Sequence, residues 1–170
     1  MKRVCITGTE STGKTTLAEE LAAHFKVALL PDVSRDFIAS LNRPYTQQDV
    51  LEIARQIIAA ENTAENGAAT FYLSDNDLLN IKIWLQYYNW PVPVWLTEEI
   101  QKKATDIYLL CYIDTPWEPD AQRANPHDRN ELFATFISEL DRIKATYKIL
   151  KGNKIERFKQ AISHIEKNLV

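Results

Sequence analysis

A chain of 170 residues, 45% hydrophobic and 25% charged, suits one globular domain with a sizeable core. Its net charge is −3, with 20 Lys and Arg spread along the chain against 23 Asp and Glu. That balance argues against a general attraction to nucleic acid or to an anionic membrane. No apolar run approaches the length of a bilayer span. Met1-Lys2-Arg3 leads directly into an apolar stretch with no secretory core region, so a cytoplasmic protein is expected. No internal repeat, low-complexity tract or inter-domain linker stands out, and residues 1–170 are read as a single domain.

The first element is a strand over about Lys2–Thr7. Its apolar centre, Val4-Cys5-Ile6, suits burial on both faces. It runs into Gly8-Thr9-Glu10-Ser11-Thr12-Gly13-Lys14-Thr15, which fits the P-loop pattern G-x-x-x-x-G-K-S/T. Apolar periodicity then predicts a helix from about Lys14 to Phe25. Strand, glycine turn and helix in that order are the context a phosphate site needs. In such a site, amides of the turn and of the first helical turn form a concave anion cradle. Here those positions are Gly8, Glu10, Ser11, Thr12, Gly13, Lys14, Thr15 and Thr16. Gly8 and Gly13 supply turn conformations and let phosphates approach without a Cβ in the way. Lys14 reaches the β- and γ-phosphates, and the Thr15 hydroxyl binds Mg²⁺. The pattern calls for ATP with Mg²⁺ as donor.

Val27–Leu30 reads as a short strand ended by Pro31, with Asp32 and Arg35 beyond it. Ser34–Leu41 turns helical and Asn42-Arg43-Pro44 breaks it. Thr46-x-x-Asp49 has the form of a capping box. It opens a helix on Val50, Ile53, Ala54, Ile57 and Ile58, running to roughly Glu65 and closed by Asn66-Gly67. Thr70–Leu73 is a third strand, delivering Ser74-Asp75-Asn76-Asp77. A helix from about Asp77 to Tyr88 follows, stopped by Pro91 and Pro93, then a short helix over about 97–104. Ile107–Ile113 is a fourth buried strand. Asp114–Asp128 is a polar loop with three prolines. About Arg129–Ala145 is helical, Tyr147–Leu150 a fifth strand, and Asn153–Leu169 the last helix, with Asn153 and Glu156 as its cap.

Five alternations of strand and helix predict an α/β fold: a three-layer αβα P-loop NTPase of the nucleoside/nucleotide-kinase type. Its five-stranded parallel sheet is covered on both faces, with ligands at the carboxyl ends of the strands. Cys5 and Cys111 fall in buried strands and read as reduced core thiols. His24, His127 and His164 show no metal-ligand spacing.

A P-loop enzyme places a carboxylate near Mg²⁺, usually at the end of a neighbouring apolar strand. Asp75 meets that description and is assigned to the metal or to catalysis. Asp77 is either a helix cap or a substrate contact. Asp32, past the second strand, faces the same sheet edge. An acceptor hydroxyl needs a carboxylate to orient it and take its proton, and Asp32 and Asp75 both remain open for that role. The 114–128 loop resembles a kinase lid. Arg123 in mid-loop and Arg129 at its end supply cations to cover a transferring phosphoryl group. Trp84, Tyr87 and Tyr88 lie at i, i+3 and i+4; Trp84 and Tyr87 are candidates to stack on a flat base, with packing as the alternative. Asn153-Lys154-Ile155-Glu156 differs from the guanine-reading N-K-x-D by ending in Glu. Asp75-Asn76-Asp77-Leu78 is not the D-x-x-G of a GTP-hydrolysing switch.

In this combination the chain resembles the ribosylnicotinamide kinase domain of NadR-type proteins, and the small stand-alone proteins labelled AAA-family ATPases that share it. The resemblance covers nearly the whole chain. It is carried by the Gly8–Thr15 loop with its Glu10-Ser11, by Leu30-Pro31-Asp32-Val33-Ser34-Arg35-Asp36-Phe37, and by Pro44-Tyr45. It continues through Asp75-Asn76-Asp77 with Lys82 and Trp84, and through Ile113-Asp114-Thr115-Pro116-Trp117 leading to Asp120 and Arg123. What it implies is transfer of the γ-phosphoryl of ATP to the 5′-hydroxyl of nicotinamide riboside. In that picture Lys14 and Thr15 hold phosphate and Mg²⁺, Asp32 and Arg35 border the acceptor, Asp75 serves metal or acceptor, and Arg123 closes from the lid. The alternatives are a kinase for another nucleoside or small hydroxyl compound, and a regulatory ATP-binding module. They divide on whether Asp32, Asp75 and Arg123 converge on an acceptor pocket.

Overall fold

Five parallel strands make the centre of the protein, in the order β2-β3-β1-β4-β5. They are β1 (Lys2–Thr7), β2 (Leu29–Leu30), β3 (Phe71–Asp75), β4 (Ile107–Cys111) and β5 (Tyr147–Leu150). This computed structural model describes residues 1–65, 70–116 and 128–169. The helices are α1 (Lys14–Phe25), α2 (Ser34–Ser40), α3 (Gln47–Ala64), α4 (Leu78–Tyr87), α5 (Val94–Lys102), α6 (Arg129–Arg142) and α7 (Lys154–Leu169).

Strand alternation sorts the core into layers. Val4, Ile6, Leu73 and Leu109 meet Leu17 and Leu21 of α1 and Ala161 and Ile165 of α7 on one face. Cys5, Tyr108 and Leu110 meet Leu79 and Ile83 of α4 and Phe133, Phe136 and Leu140 of α6 on the other. A third apolar cluster joins α3, α4 and α5 around Ile53, Ile81, Leu85 and Leu96. Cys5 and Cys111 are buried and unbridged.

Both expected capping boxes form. Thr46 and Asp49 exchange bonds at the start of α3. At α7, Asn153 Oδ1 accepts from the amides of Ile155 (3.0 Å) and Glu156 (3.1 Å), while Glu156 Oε2 accepts from the Asn153 amide (2.8 Å). The Asn-Lys-x-Glu stretch is therefore a helix start.

Some boundaries differ from expectation. β2 keeps only two residues, because the Val27 amide closes α1 instead, bonding Ala22 O at 3.2 Å past the left-handed Lys26 (φ 54°). β3 runs on to Asp75, which pairs with Ile6. β4 stops at Cys111. α5 begins at Val94, because Pro93 (φ −64°) serves as its N-cap. The expected stop at Asn66-Gly67 lies outside the described residues. So do 117–127 of the 114–128 loop, with Arg123 and His127.

Candidate active site

The site is built where β1 stops. Gly8 takes φ 132°, and a Cβ there would lie 2.9 Å from the Cys111 carbonyl oxygen. The chain therefore leaves β1 hard against β4, as a side chain would not allow. The loop then turns through Ser11 (φ 58°) and Gly13 (φ 76°), both left-handed, before α1 begins at Lys14. Inside the loop, the Thr12 hydroxyl and Lys14 Nζ each donate to Thr9 O at 2.8 Å. The helix N-terminus leaves its first amides unpaired by the helix, which is the electrostatic basis of anion binding.

Asp75 ends β3 beside this loop. Its Oδ2 accepts from the Thr15 hydroxyl at 2.6 Å, while its buried Oδ1 has no hydrogen-bond partner among the described residues. Burial pushes the Asp75 carboxyl above its ordinary value; the Thr15 bond and the Lys14 charge oppose that, and the Asp32 charge adds to it. Asp32 is half-buried. Its Oδ1 accepts from the Ser34 amide (2.9 Å) and the Ser34 hydroxyl, and its Oδ2 accepts from Asn76 Nδ2 at 2.9 Å. Asn76 is left-handed (φ 68°) and donates its amide to Ile6 O at 2.9 Å. One residue thus ties the end of β3 both to β1 and to Asp32. The two candidate acids converge at one edge of the sheet, beside the loop.

Asp77 does not join them. It caps α4 through the Leu79 amide (2.9 Å) and accepts from the hydroxyls of Thr105 (3.0 Å) and Tyr108 (2.7 Å). It is buried, with Arg3 Nη2 at 4.0 Å. The expected contact with substrate is corrected: the side chain turns into the α4 side of the sheet, where three donors satisfy it.

The aromatic residues stand near the loop. Tyr45 meets Trp84 edge-on at 5.3 Å and donates to the Tyr88 hydroxyl at 2.8 Å. Trp84 also packs against the α3–α4–α5 cluster. The Tyr87 hydroxyl donates to Asp128 at 2.7 Å. That bond is the main cause holding the Tyr87 phenol up at about 12, and the Glu10 charge contributes. Burial does most of the same for Tyr45, again with a contribution from Glu10. Glu10 of the loop is thus felt by both rings. Arg35 is exposed in the first turn of α2. Arg129, expected to reach from a lid, opens α6 and donates to Thr115 O (3.1 Å) and Ser11 O (3.4 Å).

This geometry can seat an anion with a hydroxyl–carboxylate pair beside it. An AAA domain family model matches residues 3–157, from the start of β1 to the first turn of α7. The chain belongs to that AAA domain family. No curated protein sequence matches it. Among solved structures, this AAA domain is similar to a NadR protein in complex with NR (TM-score 0.75, 18% identity, 99% of this chain and 50% of that chain). A NadR protein in complex with NAD and AMP-PNP gives TM-score 0.77 at 18% identity, covering 99% of this chain and 49% of that one. The domain therefore spans about half the length of those NadR chains. Deoxyadenosine kinase from M. mycoides aligns nearly end to end (TM-score 0.70, 10% identity, 97% of this chain and 99% of that chain). These likenesses show the fold, which is that of P-loop NTPases and nucleoside kinases.

Three site residues of the AAA domain escape the sequence pattern. Asn76 stands inside an acidic triplet, and only its left-handed turn brings it to Asp32. Thr115 donates to Ser11 O at 2.8 Å from 104 residues away. Arg157 on α7 reaches the loop from 145 residues beyond Thr12. The two contacts to the loop backbone rest on pairings between strands that no local motif encodes.

Proposed function

We propose that this AAA domain is an ATP-dependent small-molecule kinase whose acceptor is a nucleoside, nicotinamide riboside first. The observation that carries the reading is the Thr15–Asp75 pair at 2.6 Å with Asp32 alongside. A second acid beside the phosphate loop is what an acceptor hydroxyl requires.

Lys14 and the loop amides bind the triphosphate tail of ATP. Thr15 and Asp75 are hard oxygen donors, and the unpartnered Asp75 Oδ1 adds another, so the pair fits Mg²⁺. An Mg²⁺ held by Thr15 and Asp75 would supply charge neutralisation on the transferring phosphate. With Asp75 engaged by Thr15, Asp32 is the carboxylate that orients the acceptor hydroxyl and receives its proton. Ser34 and Asn76 hold Asp32 in place. Arg35 borders the acceptor from α2, and Arg123 is the cation assigned to the γ-phosphoryl group. Nicotinamide riboside carries a fixed positive charge on its ring. Tyr45, Trp84 and Tyr87, with Glu10 and Asp128 nearby, suit a flat cation. The NadR structure in complex with NR supports the same choice; the likeness to a deoxyadenosine kinase favours another nucleoside as the second reading.

The test is a panel of nucleosides with Mg·ATP, followed by ADP release and by the mononucleotide product. Nicotinamide riboside is expected to give product with the native protein and none with Lys14→Ala. Turnover of a different nucleoside alone would keep the kinase and discard this acceptor. Silence across the panel would remove the kinase reading.

A further inference from the structure

Arg157 is a buried cation that the phosphoryl-transfer scheme does not use. It is 4% exposed. Its Nε donates to Gly152 O at 2.9 Å and its Nη2 to Tyr112 O at 2.8 Å; its Nη1 donates to Thr12 O, and it pairs with Asp114. Asp114 in turn accepts from the Gly152 amide at 2.6 Å. The guanidinium is therefore wedged between the P-loop, the segment after β4 and the turn after β5. With Nε and both terminal nitrogens engaged, it reads as a brace rather than a ligand contact.

The bond to Thr12 O has a geometric consequence. A peptide unit is planar and trans, so its carbonyl and the following N–H point in opposite directions. Holding the Thr12 carbonyl outward against α7 turns the Gly13 N–H the other way, toward the concave side of the loop. The preceding peptide is treated alike. Ser11 O accepts from the Thr115 hydroxyl at 2.8 Å and from Arg129 at 3.4 Å, which aims the Thr12 N–H. Ser11 at φ 58° is in a region that residues with a Cβ rarely adopt, so the turn needs fixing from outside. Successive inward amides of this kind make an anion-binding nest.

We propose that Arg157 is a positioning residue for phosphate binding, which holds the Thr12–Gly13 peptide with its N–H turned toward the anion before a nucleotide arrives. The proposal rests on the reading of Gly8–Thr15 as a phosphate cradle. Its effect is preorganisation: the amides need no reorientation on binding. Lysine cannot substitute, because an ammonium lacks the planar fork that reaches three carbonyls and a carboxylate together.

The test compares Mg·AMP-PNP with tripolyphosphate, which has no base, by calorimetry on the full chain. Arg157→Lys is expected to weaken both about tenfold or more and by similar factors. Methylguanidinium is expected to restore part of the loss in Arg157→Ala. Asp114→Asn, which loosens the seat of the guanidinium, is expected to weaken both ligands less. Should Arg157→Lys fail to fold, Asp114→Asn carries the same comparison. A loss confined to AMP-PNP would put Arg157 at the base end and overturn the proposal, as would unchanged affinity for both. Native protein that binds neither probe would remove the cradle itself, a failure visible before any variant is made.

Discussion

Asp75 and Asp77 are two residues apart and do unrelated work. Asp75 lies in the strand and faces the P-loop, whereas Asp77 lies beyond a left-handed Asn76 and faces the interior. Asp75→Asn keeps the shape and a partner for the Thr15 hydroxyl but removes the charge. Turnover is expected to fall about a hundredfold or more, because a metal-holding charge beside the transferring phosphoryl group is lost, with a much smaller change in KM for ATP, as steady-state kinetics would show. A fall in ATP affinity alone would contradict the role given to Asp75. Asp77→Ala takes the acceptor away from one amide and two hydroxyls and leaves Arg3 with one acid fewer. A loss of about 2–4 kcal/mol in urea unfolding is expected, with turnover per folded molecule unchanged. The sequence assigns Asp75 to the metal or to catalysis and leaves Asp77 open between a helix cap and a substrate contact; the structure takes the cap. Which way each points depends on where the strand stops and on one residue with positive φ, and neither is written in the acidic triplet.

At the scale of the element, local chemistry was legible and tertiary pairing was not. The capping boxes of α3 and α7 each involve residues three apart, and they form where Thr46 and Asn153 announce them. The length of β2 depended on whether the Val27 amide served a strand or a helix end, a competition settled by packing. Helix α3 also carries two acids with opposite pH demands. Near its start, Arg43 and Thr46 hold the Asp49 carboxyl well below the usual range. Asp49 therefore adds stability above the pKa of a free carboxylate and loses it as pH falls. Near its end, burial pushes Glu61 up to about 7, against the opposing charges of Arg3 and Lys103 and with the help of Asp77. Folded protein holds that proton more tightly than unfolded chain does. Glu61 thus contributes stability that is full below about pH 4.3 and is lost as pH rises through about 7. In Glu61→Gln the fall in unfolding midpoint between pH 5 and pH 8 should flatten relative to the native protein, measured in urea at about four pH values across that window. An equal slope in both proteins would deny the shift.

Across the whole molecule, the carboxyl ends of all five strands supply the site. β1 gives the loop, β2 leads to Asp32, and β3 ends in Asp75. The segments after β4 and β5 supply Thr115, Asp114 and Gly152, which fasten the loop carbonyls or the arginine that holds them. The order of alternating elements predicted this convergence as a class, since parallel sheets present ligands at that edge. It did not predict the braces, because they join residues more than a hundred positions apart. A ligand seated in the loop therefore touches structure tied to both helical layers, and its binding energy should appear as global stability. At a free Mg·AMP-PNP concentration about 100 times Kd, linkage gives about 2.7 kcal/mol, or about 5–10 °C in melting temperature for a chain of this size. Lys14 is the control. Among the described residues its side chain bonds the Thr9 carbonyl of its own loop, so Lys14→Ala should melt near the native temperature without ligand and gain little from it. Thermal unfolding with and without Mg·AMP-PNP measures both. A shift that survives in Lys14→Ala would place the nucleotide elsewhere on the molecule.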